Sequence, residues 1–252
     1  MRRWLILLLF LASFTTTAAR PGQTVEVEFG DVSVSFEFGK RLSIQAAIET
    51  KQPVDQVYLF LQPENAATQI QPVELTGQNR VRYEHNLAQN TFRPFARVDY
   101  WFRVVLDDGE EVTSPVFSFD YHDNRFDWTT LEDERFIAHW QGADLEFGQA
   151  VLNTANAGLE RALEVLPASA VFPLQIYVYP DAAQIQSALQ LSGVSWVAGH
   201  ASPDLGIVLI SVPPGPEQRL ELERQLPHEL MHILEYRAAG QAYNRMPFWL
   251  GE

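Results

Sequence analysis

From residue 21 to about residue 121 the apolar side chains of this chain fall at every second position, and no other feature limits its fold as tightly. Val25, Val27 and Phe29 alternate with Glu26 and Glu28, and Val32, Val34, Phe36 and Phe38 alternate with Ser33, Ser35 and Glu37. Leu42, Ile44, Ala46 and Ile48 continue the pattern after Gly39-Lys40. Successive side chains of a strand point to opposite faces, so this spacing buries one face and wets the other. Residues 57–61 form a more continuous apolar strand between Pro53 and Pro63, and residues 73–75 and 81–83 flank Gly77-Gln78-Asn79, a hairpin signal. The strand at 96–106 runs into Asp107-Asp108-Gly109-Glu110, a tight turn, and residues 111–119 return from it. Roughly seven short strands in about a hundred residues predict an all-β sandwich of fibronectin type III or immunoglobulin kind. The chain has no cysteine, which favours the fibronectin-like version. A spacer and a substrate-binding module both remain open, since a shared fold does not fix a function.

Beyond residue 121 the period changes. Residues 122–131 are polar and aromatic and are read as a linker between the sandwich (21–121) and a second domain (132–252). There a short strand at 136–140 precedes an amphipathic helix at 144–166 that Pro167 ends. A compact strand at 174–179 stops at Pro180, and Asp181 caps a helix to about residue 191. Strands at 194–201 and 205–212 flank Ser202-Pro203-Asp204, and Pro213-Pro214-Gly215-Pro216 breaks the chain before a helix that begins near Glu217. Pro227 should kink or restart that helix.

Directly after Pro227 the chain reads His228-Glu229-Leu230-Met231-His232, an H-E-x-x-H sequence. Residues four apart lie one turn apart on one helix face, so both imidazoles can turn to one ion. Leu226, Leu230, Ile233 and Leu234 give the helix an apolar back. Zinc accepts neutral imidazole, and a catalytic zinc takes three protein ligands plus a water whose pKa falls to about 7. Glu229, about a quarter turn away, is placed to accept that water's proton. Two histidines are one ligand short. Glu235 shares their helix; a residue from a second helix closes a tetrahedron better.

Downstream runs Met246-Pro247-Phe248-Trp249-Leu250-Gly251-Glu252. With HELMH and PFWLGE together, residues 132–252 resemble the gluzincin zinc metallopeptidases, and among them the peptidase MA-like family. The resemblance implies that the second domain is the α+β N-terminal half of a gluzincin domain. It implies that His228, His232 and Glu252 hold Zn2+, that Glu229 is the general base, and that the substrate is a peptide or protein. In such a domain the strand at 195–201, with His200, would be the sheet edge beside the cleft. That family continues into further helices past the third ligand, so the chain is expected to be a truncated gluzincin, and an inactive fragment is one expectation for it.

Met1-Arg2-Arg3, the apolar run 4–14 and the small residues ending at Ala19 read as a secretory signal peptide, residues 1–19, with no membrane span left after cleavage. The expected place is secreted or extracytoplasmic, in the cell envelope. The net charge of −14 disfavours nucleic acid as a partner. The expected function is thus a secreted zinc metallopeptidase. The alternative is an extracytoplasmic binding or adhesion module, with the sandwich as its working part and a structural or inactive zinc site.

Overall fold

The computed structural model describes residues 26–77, 79–190 and 199–245. The expected signal peptide, Gln78 of the expected hairpin, most of the expected strand at 194–201 and the motif at 246–252 lie outside them.

The first half is a β-sandwich. Its strands are β1 (Val27–Glu37), β2 (Arg41–Thr50), β3 (Val54–Pro63), β4 (Gln69–Val73), β5 (Leu75–Thr76), β6 (Arg80–Asn86), β7 (Arg97–Leu106), β8 (Glu111–Thr113) and β9 (Phe117–Asp120). One antiparallel sheet has the order β1-β2-β6-β5; the other is β4-β3-β7-β8, with β9 also paired to β7. Residues 27–29 and 32–37 of the two apolar runs belong to one strand. Their apolar positions change parity, from odd to even numbers, and β1 answers with a register shift between Gly30 and Ser33. An extra residue at a bulge restores the inward face. Leu42, Ile44 and Ile48 from one sheet meet Leu59, Phe102 and Val104 from the other in a closed core. Each such side chain stabilises the fold by about 1.5–3 kcal/mol when fully buried.

The second half is a five-stranded sheet with helices. Its elements are β10 (Trp128–Glu132), β11 (Phe136–Gln141), α1 (Leu145–Val165), β12 (Leu174–Tyr179), α2 (Ala182–Gln190), β13 (Gly199–Ser202), β14 (Ile207–Ser211) and α3 (Gln218–Ala239). The order is β10-β11-β12-β14-β13, parallel in the middle and antiparallel at both edges. Asp144 caps α1 by accepting from the amides of Glu146 and Phe147, and Asp181 accepts from the amide of Gln184 at the start of α2. Gly240, at φ 54°, stops α3. Pro227 causes no restart: α3 is one helix from Gln218 to Ala239. Its ring packs where Gly158 of α1 leaves room; a Cβ there would stand 3.1 Å from the proline Cγ.

Alternation along β12 decides how the layers stack. Leu174, Ile176 and Val178 face α1 and α3, together with Trp140 and Val208. Tyr177 and Tyr179 face the other way, into the core of the sandwich, with Ile207, Leu209 and the α2 residues Ile185 and Leu189. The segment expected as linker is part of this contact. Tyr121 and Asp123 are fully buried, and β10 occupies 128–132. Arg93 holds Asp204 with both guanidinium nitrogens, and the Asn65 amide donates to the same carboxylate, which ties the sandwich to the β13–β14 hairpin. The finer fold expectation is corrected here. What stands is a sandwich joined to an α+β layer; a gluzincin half is not shown, because its second zinc-site helix would fall at 246–252.

Candidate functional site

The three described residues of the expected zinc site lie on α3, beside β13. His228 and His232 bring their Nε2 atoms to 3.2 Å of each other. Two ligands about 2.0–2.1 Å from a tetrahedral zinc stand at roughly that separation. His232 Nδ1 lies 3.2 Å from Glu235 Oε2, so Glu235 orients this ring from behind and does not share the Nε2 side. Glu229 is 7% exposed and turns toward β13, where the absent side chain of Gly199 makes room: a Cβ there would sit 2.5 Å from Glu229 Oε1. His200 of β13 is brought near; burial, then the positive charge of Arg93, holds its pKa down at about 4. The expected third ligand, Glu252, lies outside the described residues. Among the described residues no group of three or more His, Cys, Asp or Glu is arranged to hold a metal ion. The described donors fall short of a catalytic zinc set.

The second candidate is a cleft of about 480 Å³ where the sandwich meets the second sheet. Glu64, Arg97 and Asp120 come from the sandwich; Trp128, His139 and Gln175 come from the sheet. Alternation along β11 puts His139 on the face opposite Trp140, so the ring points toward the sandwich. It stacks on Tyr177 at 4.2 Å between centroids and 16° between planes. Gln175 Oε1 accepts from the Tyr177 hydroxyl at 3.2 Å and lies 3.2 Å from His139 Nε2. If that oxygen accepts both, Nε2 carries the histidine proton, and Nδ1 accepts from the Thr130 hydroxyl at 3.1 Å. Burial drives the His139 pKa down to about 4, against the opposing pull of the Gln175 bond. The ring is therefore neutral at pH 7. Burial also pushes the Tyr177 hydroxyl upward, so it stays a donor. The chain Thr130–His139–Gln175–Tyr177 fixes the Gln175 amide with its NH2 end left for a ligand, while the exposed Glu64 and Asp120 offer acceptors at the rim.

No family model and no curated protein matches this chain. Solved structures do. A carbohydrate-binding module family 56 β-1,3-glucan binding domain is 14% identical over 36% of this chain and 98% of its own, at TM-score 0.26. A family 64 laminaripentaose-producing β-1,3-glucanase from Paenibacillus barengoltzii is 13% identical over 36% of this chain and 20% of its own, at TM-score 0.27. A cycloalternan-degrading enzyme from Trueperella pyogenes is 19% identical over 40% of this chain and 12% of its own, at TM-score 0.29. The expectation of a zinc metallopeptidase with Glu229 as base is corrected: the described residues include no group of three or more His, Cys, Asp or Glu that could hold a metal ion. A peptide or protein substrate falls with it.

The cleft residues were not singled out as a site from the sequence. They are spread along the chain from Glu64 to Ile207, and His139 reads alone as a strand histidine with a structural hydrogen bond. The one available signal was the aromatic and polar run 121–130, rich for a linker, in which Trp128 sits.

Proposed function

We propose that this chain is an extracytoplasmic binding module for carbohydrate, with the cleft between the sandwich and the second sheet as its seat. The observation that carries the reading is the fixed Gln175 amide. It stands among aromatic and imidazole rings and below two free carboxylates. A sugar hydroxyl both donates and accepts, so one ligand can satisfy the amide donors and the rim acceptors together. Ring faces cover the apolar C–H faces of a sugar, and a few placed polar groups set its orientation. The signal-like residues 1–19 support a place outside the cytoplasm; among the described residues no helix is long and apolar enough to cross a membrane.

Soluble β-1,3-glucan is the first ligand to try, with β-1,4- and α-linked glucans beside it. Affinity electrophoresis and calorimetry on the full chain should show binding that Gln175→Ala weakens by about tenfold, the loss of roughly one hydrogen-bonded contact. The exposed rim variant Glu64→Ala should weaken it less. Absence of binding to every glycan tried, or wild-type affinity in Gln175→Ala, would refute the proposal. A zinc ion on His228 and His232, completed by Glu252, is a separate proposal, with a structural role only.

A further inference from the structure

The cleft does not end at its own rim. Its sandwich wall is the outward face of β7, where Arg97 stands directly opposite Asp120 of β9, and the Glu64 amide donates to the Arg97 carbonyl. Every second residue of β7 continues that outward face: Arg97, Asp99, Trp101, Arg103. Asp99 lies opposite Gln62 and Ser118; Trp101 lies opposite Phe60, which in turn lies opposite Ile70. Strands rise 3.2–3.4 Å per residue, so Trp101 stands about 13 Å along the strand from Arg97.

At that distance the face changes from polar to aromatic. The rings of Trp101 and Phe60 stack at 5.1 Å between centroids and 11° between planes. The Arg103 guanidinium covers Phe60 at 4.8 Å from its ring centre. Phe60 is thereby only 6% exposed and acts as the floor, while Trp101 and Tyr58 keep intermediate exposure and Ile70 is 56% exposed. An outward sheet face that supports a tryptophan in this way offers a flat platform, with hydrogen-bonding Asp99, Gln62 and Ser118 between it and the cleft.

The geometry points to one extended binding surface: we infer that the ligand of the cleft is a polymeric, uncharged glycan whose chain leaves the cleft past Arg97 and Asp120 and lies along β7 onto Trp101. This inference rests on the carbohydrate reading of the cleft and adds its length and direction. Two contacts on one chain act as linked sites, so length itself should raise affinity. The continuity of the platform with the cleft wall selects a chain as occupant over a second protein.

The test compares a disaccharide with a long oligosaccharide of the same linkage, on wild type, Trp101→Ala and Arg103→Ala. The long chain should bind wild type about tenfold tighter or more. Trp101→Ala should remove that gain and leave the disaccharide affinity unchanged, because Trp101 does not line the cleft. Arg103→Ala, at a side chain that is 40% exposed, should remove part of the gain even if Trp101→Ala folds poorly. In wild type, the indole N–H resonance of Trp101 should move with the long chain only. Equal affinity for both lengths, or a length gain that survives Trp101→Ala, overturns the extended surface while the disaccharide upholds the cleft. If neither glycan binds wild type, both readings are overturned.

Discussion

Asp123 and Arg125, two residues apart, form a closed ion pair where the sandwich meets the second sheet. Arg125 Nε and Nη2 each donate to the Asp123 carboxylate at 2.7 Å, and the Tyr179 hydroxyl donates to the same group at 3.0 Å. The Asp123 side chain is fully buried, and the Trp128 indole donates to its carbonyl at 2.7 Å. Removing one partner of a buried pair leaves the other charge uncompensated, at about 3–5 kcal/mol. Arg125 retains some solvent contact, with 25% of its side chain exposed, so Asp123→Asn is expected near the lower end. Urea unfolding of the variant should give a midpoint shift of about that energy; a loss below about 1 kcal/mol would show that the layers do not depend on this pair.

Gly148 of α1 offers a contest between helix propensity and packing. Alanine favours a helix over glycine by about 0.8–1.0 kcal/mol. A Cβ at position 148, however, would lie 2.2 Å from a ring carbon of Trp140, which is 1% exposed and has nowhere to go. Overpacking costs about 1–3 kcal/mol or more, so packing wins. Gly148→Ala should lower the melting temperature, and a stabilised variant would contradict the placement of Trp140.

Acid should weaken the fold through two half-buried imidazoles. His139 and His200 have pKa values pulled down to about 4 by burial, against about 6.5 in an unfolded chain. Between those values the unfolded state binds protons that the folded state refuses, so stability falls as pH drops from about 6.5 to 4 and is level above that window. His139→Gln removes one of these groups and should flatten the slope in a series of urea melts. The His139 imidazole resonance should not titrate above about pH 5.

Zinc is best followed by metal content. Dialysis of the full chain against zinc, then metal analysis, should find bound ion that His228→Ala and His232→Ala each lose. Chelator should lower the melting temperature of wild type and leave both variants unmoved. A wild-type chain that retains no zinc would remove the ion from this protein.

Where local rules apply, the sequence was sufficient. Period-two alternation located the sandwich strands, although it reads the stretches before and after Gly30 as two strands, and the structure joins them across the β1 bulge. Asp144 and Asp181 began their helices, and Gly240 ended one, because capping needs only neighbouring residues. H-E-x-x-H did place His228 and His232 one turn apart with touching distance between their Nε2 atoms. It did not fix an activity, since two ligands on one helix leave the rest of a metal set to other parts of the chain.

What the tertiary structure alone decided is the joining of the halves. The alternation of β12 permits Tyr177 and Tyr179 to face either layer, and only the packed core shows that they enter the sandwich. The same packing buries Asp123 in what reads as a linker, and carries Pro227 through α3 against Gly158. It also builds the cleft, by setting Arg97 and Asp120 of one half against His139 and Gln175 of the other. Periodicity reports which residues of a segment share a face; it carries no information about which distant segment that face will meet, because that choice is made by the summed burial of the whole chain.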